Sequence, residues 1–237
     1  MKRALVIQHM DHDHPGRFLD WFAEDGILPE FVRVFDGQQI PSLAKFDLMF
    51  VLGGSQDTWQ EAQYPHLTME KAAIRELVWE RAKPYFGVCL GHQLLASALG
   101  GEVALASKSE VGVFDVELAE SPFFSGLAPQ QKVMQWHHAE VKRLPQNAEL
   151  LASSKDCAVQ AMAIDGHALS TQFHCEFSPQ TVAGWASLPS YVATLERANG
   201  PQAYERLRDE CWPLMPEMNR STRIIWENFK SSSGLAR

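Results

Sequence analysis

The chain has 237 residues, 46% hydrophobic and 21% charged, a composition that excludes disordered and collagen-like classes. It is long enough to bury about three quarters of its unfolded surface. The formal charge of −8, from 21 Lys plus Arg against 29 Asp plus Glu, argues against nucleic acid and anionic membrane surfaces, which attract basic patches, and favours a small-molecule substrate.

The N-terminus, Met1 to Ile7, carries two basic residues but only four consecutive apolar ones before Gln8, too few for a signal-peptide core. No segment has the length of a membrane span. Cysteines at 89, 157, 175 and 211 are too few and too unevenly spaced for a disulfide framework, which points to a reduced, cytoplasmic setting.

Short apolar runs alternate with helical patterns through the first hundred residues, as in βαβ units around a mainly parallel sheet. Strands are predicted at 4–8, 31–35 and 47–52, with a short helix over 17–24 closed by Gly26. Thr68 is a plausible N-cap for a helix carrying Ala73, Ile74, Leu77 and Val78 on its apolar face and ending before Pro84. A buried strand follows over 84–88. Beyond Gly100-Gly101 the pattern turns β-rich, near 102–106, 111–118, 132–136, 158–164 and 167–174, with several strands antiparallel. Ser178-Pro179 opens a helix to about 188. Two more helices, about 201–211 and 219–229, complete a single domain spanning 1–237, with 231–237 expected to be mobile.

Phe86-Gly87-Val88-Cys89-Leu90-Gly91-His92-Gln93 stands where a buried strand turns directly into a helix. A strand-turn-helix elbow holds a nucleophile on a strained corner, with flanking glycines allowing strand and helix to approach closely. The helix N-terminus favours thiolate over thiol. A lone cysteine after an apolar strand is ordinarily a small core residue; the glycine frame sets Cys89 apart.

Gly87-x-Cys89-x-Gly91-x-Gln93 resembles the nucleophile motif of class I glutamine amidotransferases. Thr171-Gln172-Phe173-His174-Cys175-Glu176 resembles the second signature of that family, with Cys175 where proline is usual. Residues two apart on a strand share a face, so His174 and Glu176 can turn together towards Cys89. A carboxylate on one ring nitrogen fixes the tautomer while the other nitrogen takes a proton. Taken singly, a core histidine and a surface charge would explain them. Leu52-Gly53-Gly54-Ser55 resembles the family loop that supplies an oxyanion N–H, which implies backbone donors at Gly54 and Leu90. Val133 to His138 resembles the strand that grips the substrate, which implies substrate contacts for Gln93, Gln135, Trp136 and His138.

The resemblance covers residues 4 to about 190 and looks most like the stand-alone, GMP-synthase-like members. It implies a three-layer α/β/α, flavodoxin-like fold and a Cys-His-Glu triad of Cys89, His174 and Glu176. The implied reaction is release of ammonia from glutamine through a γ-glutamyl thioester, with no metal and no organic cofactor. A separate synthetase is implied as a possible partner. Two other readings stay open: hydrolysis of a γ-glutamyl amide or peptide with no ammonia acceptor, and a catalytically silent binding module. Redox control through Cys175 is a lesser expectation. The cluster His9, Asp11, His12, Asp13 and His14 reads as a solvated loop, with His9 bordering the cleft, because zinc sites show fixed ligand spacing. His137 and His138 lack metal-like spacing too. Gly53 to Thr58 misses the ATP pyrophosphatase pattern by one residue, and no phosphate loop is present.

Overall fold

The computed structural model describes residues 1–236. Nine strands form one sheet: β1 (Lys2–Gln8), β2 (Ile27–Arg33), β3 (Leu48–Val51), β4 (Tyr85–Val88), β5 (Glu102–Leu118), β6 (Gln130–Arg143), β7 (Ala148–Ser153), β8 (Ala161–Ile164) and β9 (Ala168–Thr171). Their spatial order is β2-β1-β3-β4-β9-β8-β7-β5-β6. The first five strands in that order pair parallel and the remaining ladders are antiparallel. The expected mainly parallel sheet is therefore a mixed one. Short loops can join antiparallel neighbours, and beyond residue 98 the stretch up to β9 supplies the strands β5 to β8, which pair antiparallel.

Helices α1 (Phe18–Glu24), α2 (His66–Arg75), α3 (Leu90–Ala98), α4 (Pro179–Ala186), α5 (Pro189–Asn199) and α6 (Ala203–Ser233) surround the sheet. Alternation along the buried strands assigns the two faces. Ala4, Val6, Leu48, Phe50, Phe86, Val88 and Leu169 enter one core with Phe18 and Phe22 of α1 and Trp226 and Phe229 of α6. Leu5, Ile7, Met49, Val51, Tyr85 and Ala168 enter the other with Leu67 and Ile74 of α2 and Leu94 and Leu95 of α3. This is the three-layer arrangement, with period-2 strands buried on both faces. In the first core Phe18 lies 4.8 Å from Phe50 and 5.5 Å from Trp226 between ring centroids, within the range where aromatic pairs add to area burial.

Several expectations need correction. β2 begins at Ile27 and ends at Arg33, before the 31–35 run is complete; it is an edge strand, where Pro29 costs no ladder bond. Helix α2 starts at His66, so Thr68 lies inside it rather than capping it. It runs on through a wider π turn, Glu76–Glu80, closed by the Arg81 N–H to the Glu76 carbonyl. Strand β5 is continuous over both expected β segments, with a register shift between Leu105 and Glu110. Strand β7 and helix α5 were not foreseen.

The two expected C-terminal helices are one, α6, with Pro213 and Pro216 inside it. Both prolines lie on its exposed side, while Leu207, Cys211, Met215, Met218, Thr222, Ile225, Trp226 and Phe229 form a continuous buried stripe. That packing outweighs the roughly 3 kcal/mol a proline costs inside a helix. Beyond the helix, Leu235 is buried and its carbonyl accepts from the Lys2 Nζ. Residue 237 lies outside the described residues.

Candidate active site

Cys89 sits between β4 and α3 with φ 51° and ψ −103°, a left-handed backbone that a side-chain-bearing residue adopts only under strain. The flanking glycines explain how the elbow closes. A Cβ on Gly91 would lie 2.4 Å from the Val51 carbonyl oxygen, and one on Gly87 would lie 2.8 Å from the Gly91 backbone. Only hydrogen at these positions lets α3 lie this close to β3 and β4. Leu90 opens α3, so its N–H has no intrahelical acceptor and points out of the helix start.

His174 and Glu176 do not lie on a strand, because β9 ends at Thr171. The irregular segment that follows is fixed by the His174 N–H donating to the Met134 carbonyl at 2.9 Å. The two side chains still meet: His174 Nδ1 is 2.6 Å from Glu176 Oε1, and both are buried. Cys89 and His174 line the same cavity, close enough for the sulfur to act on the charge of the ring. Burial opposes a charge on His174, yet the Glu176 carboxylate and the Cys89 sulfur override it and hold the imidazolium well above its ordinary range.

The Gly53-Gly54 turn follows β3 and faces the same point. A methyl group at Gly53 would touch His174 Cε1 at 3.4 Å, Cys89 Cβ at 3.6 Å and Asp13 Oδ2 at 3.8 Å. Behind this turn, His9 Nδ1 lies 2.8 Å from the Gly53 carbonyl oxygen and its Nε2 lies 3.0 Å from Glu70 Oε2. Both ring nitrogens face acceptors, so both must donate and His9 is an imidazolium. Burial opposes that charge, while Glu70 and the Gly53 carbonyl raise the pKa. His9 does not border the cleft; it is fully buried and holds the turn from behind.

These elements enclose a cavity of about 190 Å³ lined by Asp13, Gly54, Ser55, Cys89, Trp136, His138, His174 and Trp185. Of the residues singled out in the sequence, Cys89, Gly54, Trp136, His138 and His174 share it, with Glu176 directly behind His174. The Cys89 sulfur is 3.7 Å from the Trp136 carbonyl oxygen, and His138 Nε2 is 2.9 Å from Asp57 Oδ1. Gln93 and Gln135 do not line it. Gln93 donates to the Ala139 carbonyl and to Gln172 Oε1, each at 3.0 Å, and Gln135 donates to Gln160 Oε1 at 2.7 Å. Both tie β6 to its neighbours from beneath.

Asp13 and Trp185 were missed. The loop between β1 and α1 is not merely solvated: Gln8 Nε2 donates to the Asp13 carbonyl at 2.6 Å, and Gly16 (φ 53°) lies so close to Glu176 that a Cβ there would sit 1.8 Å from its carbonyl oxygen. The loop therefore packs on the segment of His174 and Glu176, and Asp13 reaches the cavity. Burial raises its pKa to about 6, against the lowering influence of His174, and Glu176 pushes it the same way as burial. Trp185 lies beside Asp13, lowering its pKa slightly, and sets its ring 5.0 Å from those of His174 and Trp136. The left-handed glycine shortly after Asp13 was the only local signal for this folding-back.

Elsewhere, Glu110, His137 and Cys157 are buried together with potential ligand atoms within 4.8 Å of one another, so these three could hold a metal ion. His137 Nε2 already lies 2.9 Å from Glu110 Oε2, which also accepts from Gln160 at 2.7 Å, and burial pushes the Cys157 thiol far up. The group is a self-satisfied polar network beneath β5 and β6, without a place on the cavity. Cys175 lies in the core, does not line the cavity, and has its thiol held protonated by burial and by Glu176. Cys175 therefore brings no thiolate of its own to the expected redox contact with Cys89.

The family model described as Glutamine amidotransferase class-I matches residues 22–184. The chain belongs to this family. It is 29% identical over 190 residues to the glutamine amidotransferase-like protein YfeJ of Salmonella typhimurium, covering 77% of this chain and 79% of that one. It is 34% identical over 150 residues to a glutamine-hydrolyzing GMP synthase chain of Sulfolobus acidocaldarius, covering 62% of this chain and 76% of that one. A glutamine amidotransferase from Thermotoga maritima superposes with a TM-score of 0.87 at 26% identity, covering 96% of this chain and 97% of that one. One from Methylobacillus flagellatus gives 0.86 at 26% identity, covering 98% and 96%. The α/β fold is thus the flavodoxin-like class I fold, and no helix among the described residues is long and apolar enough to cross a membrane.

Proposed function

We propose that this family member is a cysteine-dependent amide hydrolase acting on the γ-amide of glutamine or of a γ-glutamyl compound, with Cys89 as nucleophile, His174 as acid and base and Glu176 orienting the ring. The observation that carries this reading is the strained elbow at Cys89 facing a His174–Glu176 pair bonded at 2.6 Å inside one cavity. The sulfur bonds to the amide carbon as the C–N bond breaks, and the departing nitrogen takes the proton held on His174. Water then gives a proton to His174 and its oxygen to the acyl carbon, releasing glutamate and freeing the sulfur. Gly54 and Leu90 N–H groups are the donors for the oxyanion. Trp136 and His138 contact the substrate, whereas Gln93 and Gln135 support the strand that presents them.

A separate synthetase could take the ammonia, a reading supported by the likeness to the Sulfolobus GMP synthase chain. The test is direct. Incubation with glutamine, followed by intact-mass analysis, should reveal a γ-glutamyl thioester on the wild-type chain and none on Cys89→Ala. A glutamine-like electrophile should alkylate Cys89 alone. Failure of Cys89 to react with both reagents would leave a silent binding module as the correct reading.

A further inference from the structure

We propose that Asp13, with Trp136 and Trp185, forms a cation subsite on the leaving-group side of the cavity, and that the preferred substrate is a γ-glutamyl amide whose amine portion carries a second, positively charged nitrogen. This rests on the hydrolase reading above and specifies its substrate class.

Asp13 Oδ2 is buried and has no hydrogen-bond partner, while Trp185 lies beside the carboxylate. A buried carboxylate with a free oxygen is costly and is kept where a donor or cation will meet it. Asp13 lines the cavity, so a ligand bound there is the nearest source of such a donor. Two indoles line the same cavity, their centroids 5.0 Å apart and their planes tilted by 58°. Carboxylate and indole faces together attract an alkylammonium through charge and through the ring quadrupole.

Position chooses which nitrogen this is. The departing nitrogen must lie beside His174, because that ring delivers its proton. Asp13 flanks the same ring, with its free oxygen on the Gly53 side next to Cys89. The strand carrying Trp136 and His138 forms the facing wall. A cation at Asp13 therefore belongs to the amine half of the substrate. The surrounding charges agree: Asp13 lines the site, Glu176 and Asp57 stand behind its His174 and His138, and no Lys or Arg is among the described lining residues. The family match begins at residue 22, so it does not bear on Asp13.

The test compares two γ-glutamyl amides of equal length, one of a diamine and one of a monoalkylamine, with glutamine as reference. Wild-type protein should favour the diamine amide by about tenfold or more in kcat/KM, mainly through KM. In Asp13→Asn, which keeps the shape of the side chain, that ratio should fall to about one, with glutamine turnover affected less than diamine-amide turnover. Equal wild-type rates on the two amides would overturn the proposal. So would an Asp13→Asn variant that loses all three substrates equally, because Asp13 would then serve the α-ammonium of the glutamyl half. If none of the three is cleaved and Cys89 resists a glutamine-like electrophile, the hydrolase reading itself has failed and the subsite falls with it.

Discussion

A carboxylate retained for a substrate should cost the free protein stability, and the cost at Asp13 has a pH signature. Its pKa rises from 3.8 to about 6 on folding, so the folded state holds the proton more tightly than the unfolded one. Stability therefore increases as pH falls from neutrality through about 6 and towards 4. A displacement of about two units corresponds to roughly 3 kcal/mol when the group is ionised. Asp13 as a residue is only partly buried, so about 1–2 kcal/mol is the size to look for. Asp13→Asn removes the charge but preserves shape. Its stability should exceed wild type by that amount at pH 7.5, a rise of about 2–4 °C per kcal/mol in Tm, and the gap should be roughly halved at pH 5. Urea unfolding of both proteins at several pH values measures it. A gap that stays constant from pH 5 to 8, or a variant less stable than wild type at pH 7.5, would refute the reasoning.

Glu176→Gln should impair catalysis: losing a charge-assisted bond of about 1.5–3 kcal/mol to His174 predicts a fall in kcat of roughly 10- to 150-fold. The same bond is present in the resting fold, so a loss of stability in urea unfolding is expected as well; unchanged turnover would remove Glu176 from the mechanism. Gly16→Ala should disturb the loop over the triad, since its Cβ would sit 1.8 Å from the Glu176 carbonyl oxygen at a φ of 53°. A loss of about 1–3 kcal/mol with a raised KM is expected from urea unfolding and steady-state kinetics, and wild-type values for both would show that the loop does not depend on this approach.

The parts of the site legible in the sequence are those made by short-range geometry. The elbow at Cys89 requires two glycines within two residues on either side, and the reason for them is visible in the clash each Cβ would make. His174 and Glu176 are two residues apart, so their contact was foreseeable even though the strand that was to carry them ends at Thr171. The parallel half of the sheet was equally readable, because its strands are continuous apolar runs buried on both faces. Two elements run across prolines. Pro29 sits harmlessly on an edge strand, and Pro213 and Pro216 lie on the outer side of a helix whose inner stripe packs against two cores.

Asp13 and His9 were illegible for a different reason: what makes them functional lies far along the chain. His9 is buried only because Glu70, 61 residues on, supplies the countercharge that lets an imidazolium stand behind the Gly53 turn. Asp13 reaches the cavity only because Gly16 presses against Glu176 some 160 positions later, and no local pattern of His and Asp distinguishes that from a solvated loop. The consequence is a division of labour between the two kinds of residue. On the proposed reading, local motifs set the nucleophile and its base, while a long-range loop contact brings the Asp13 carboxylate to the cavity. If the Asp13 subsite holds, substrate choice in this chain can change through residues 9–17 with the elbow and the His174–Glu176 pair left intact.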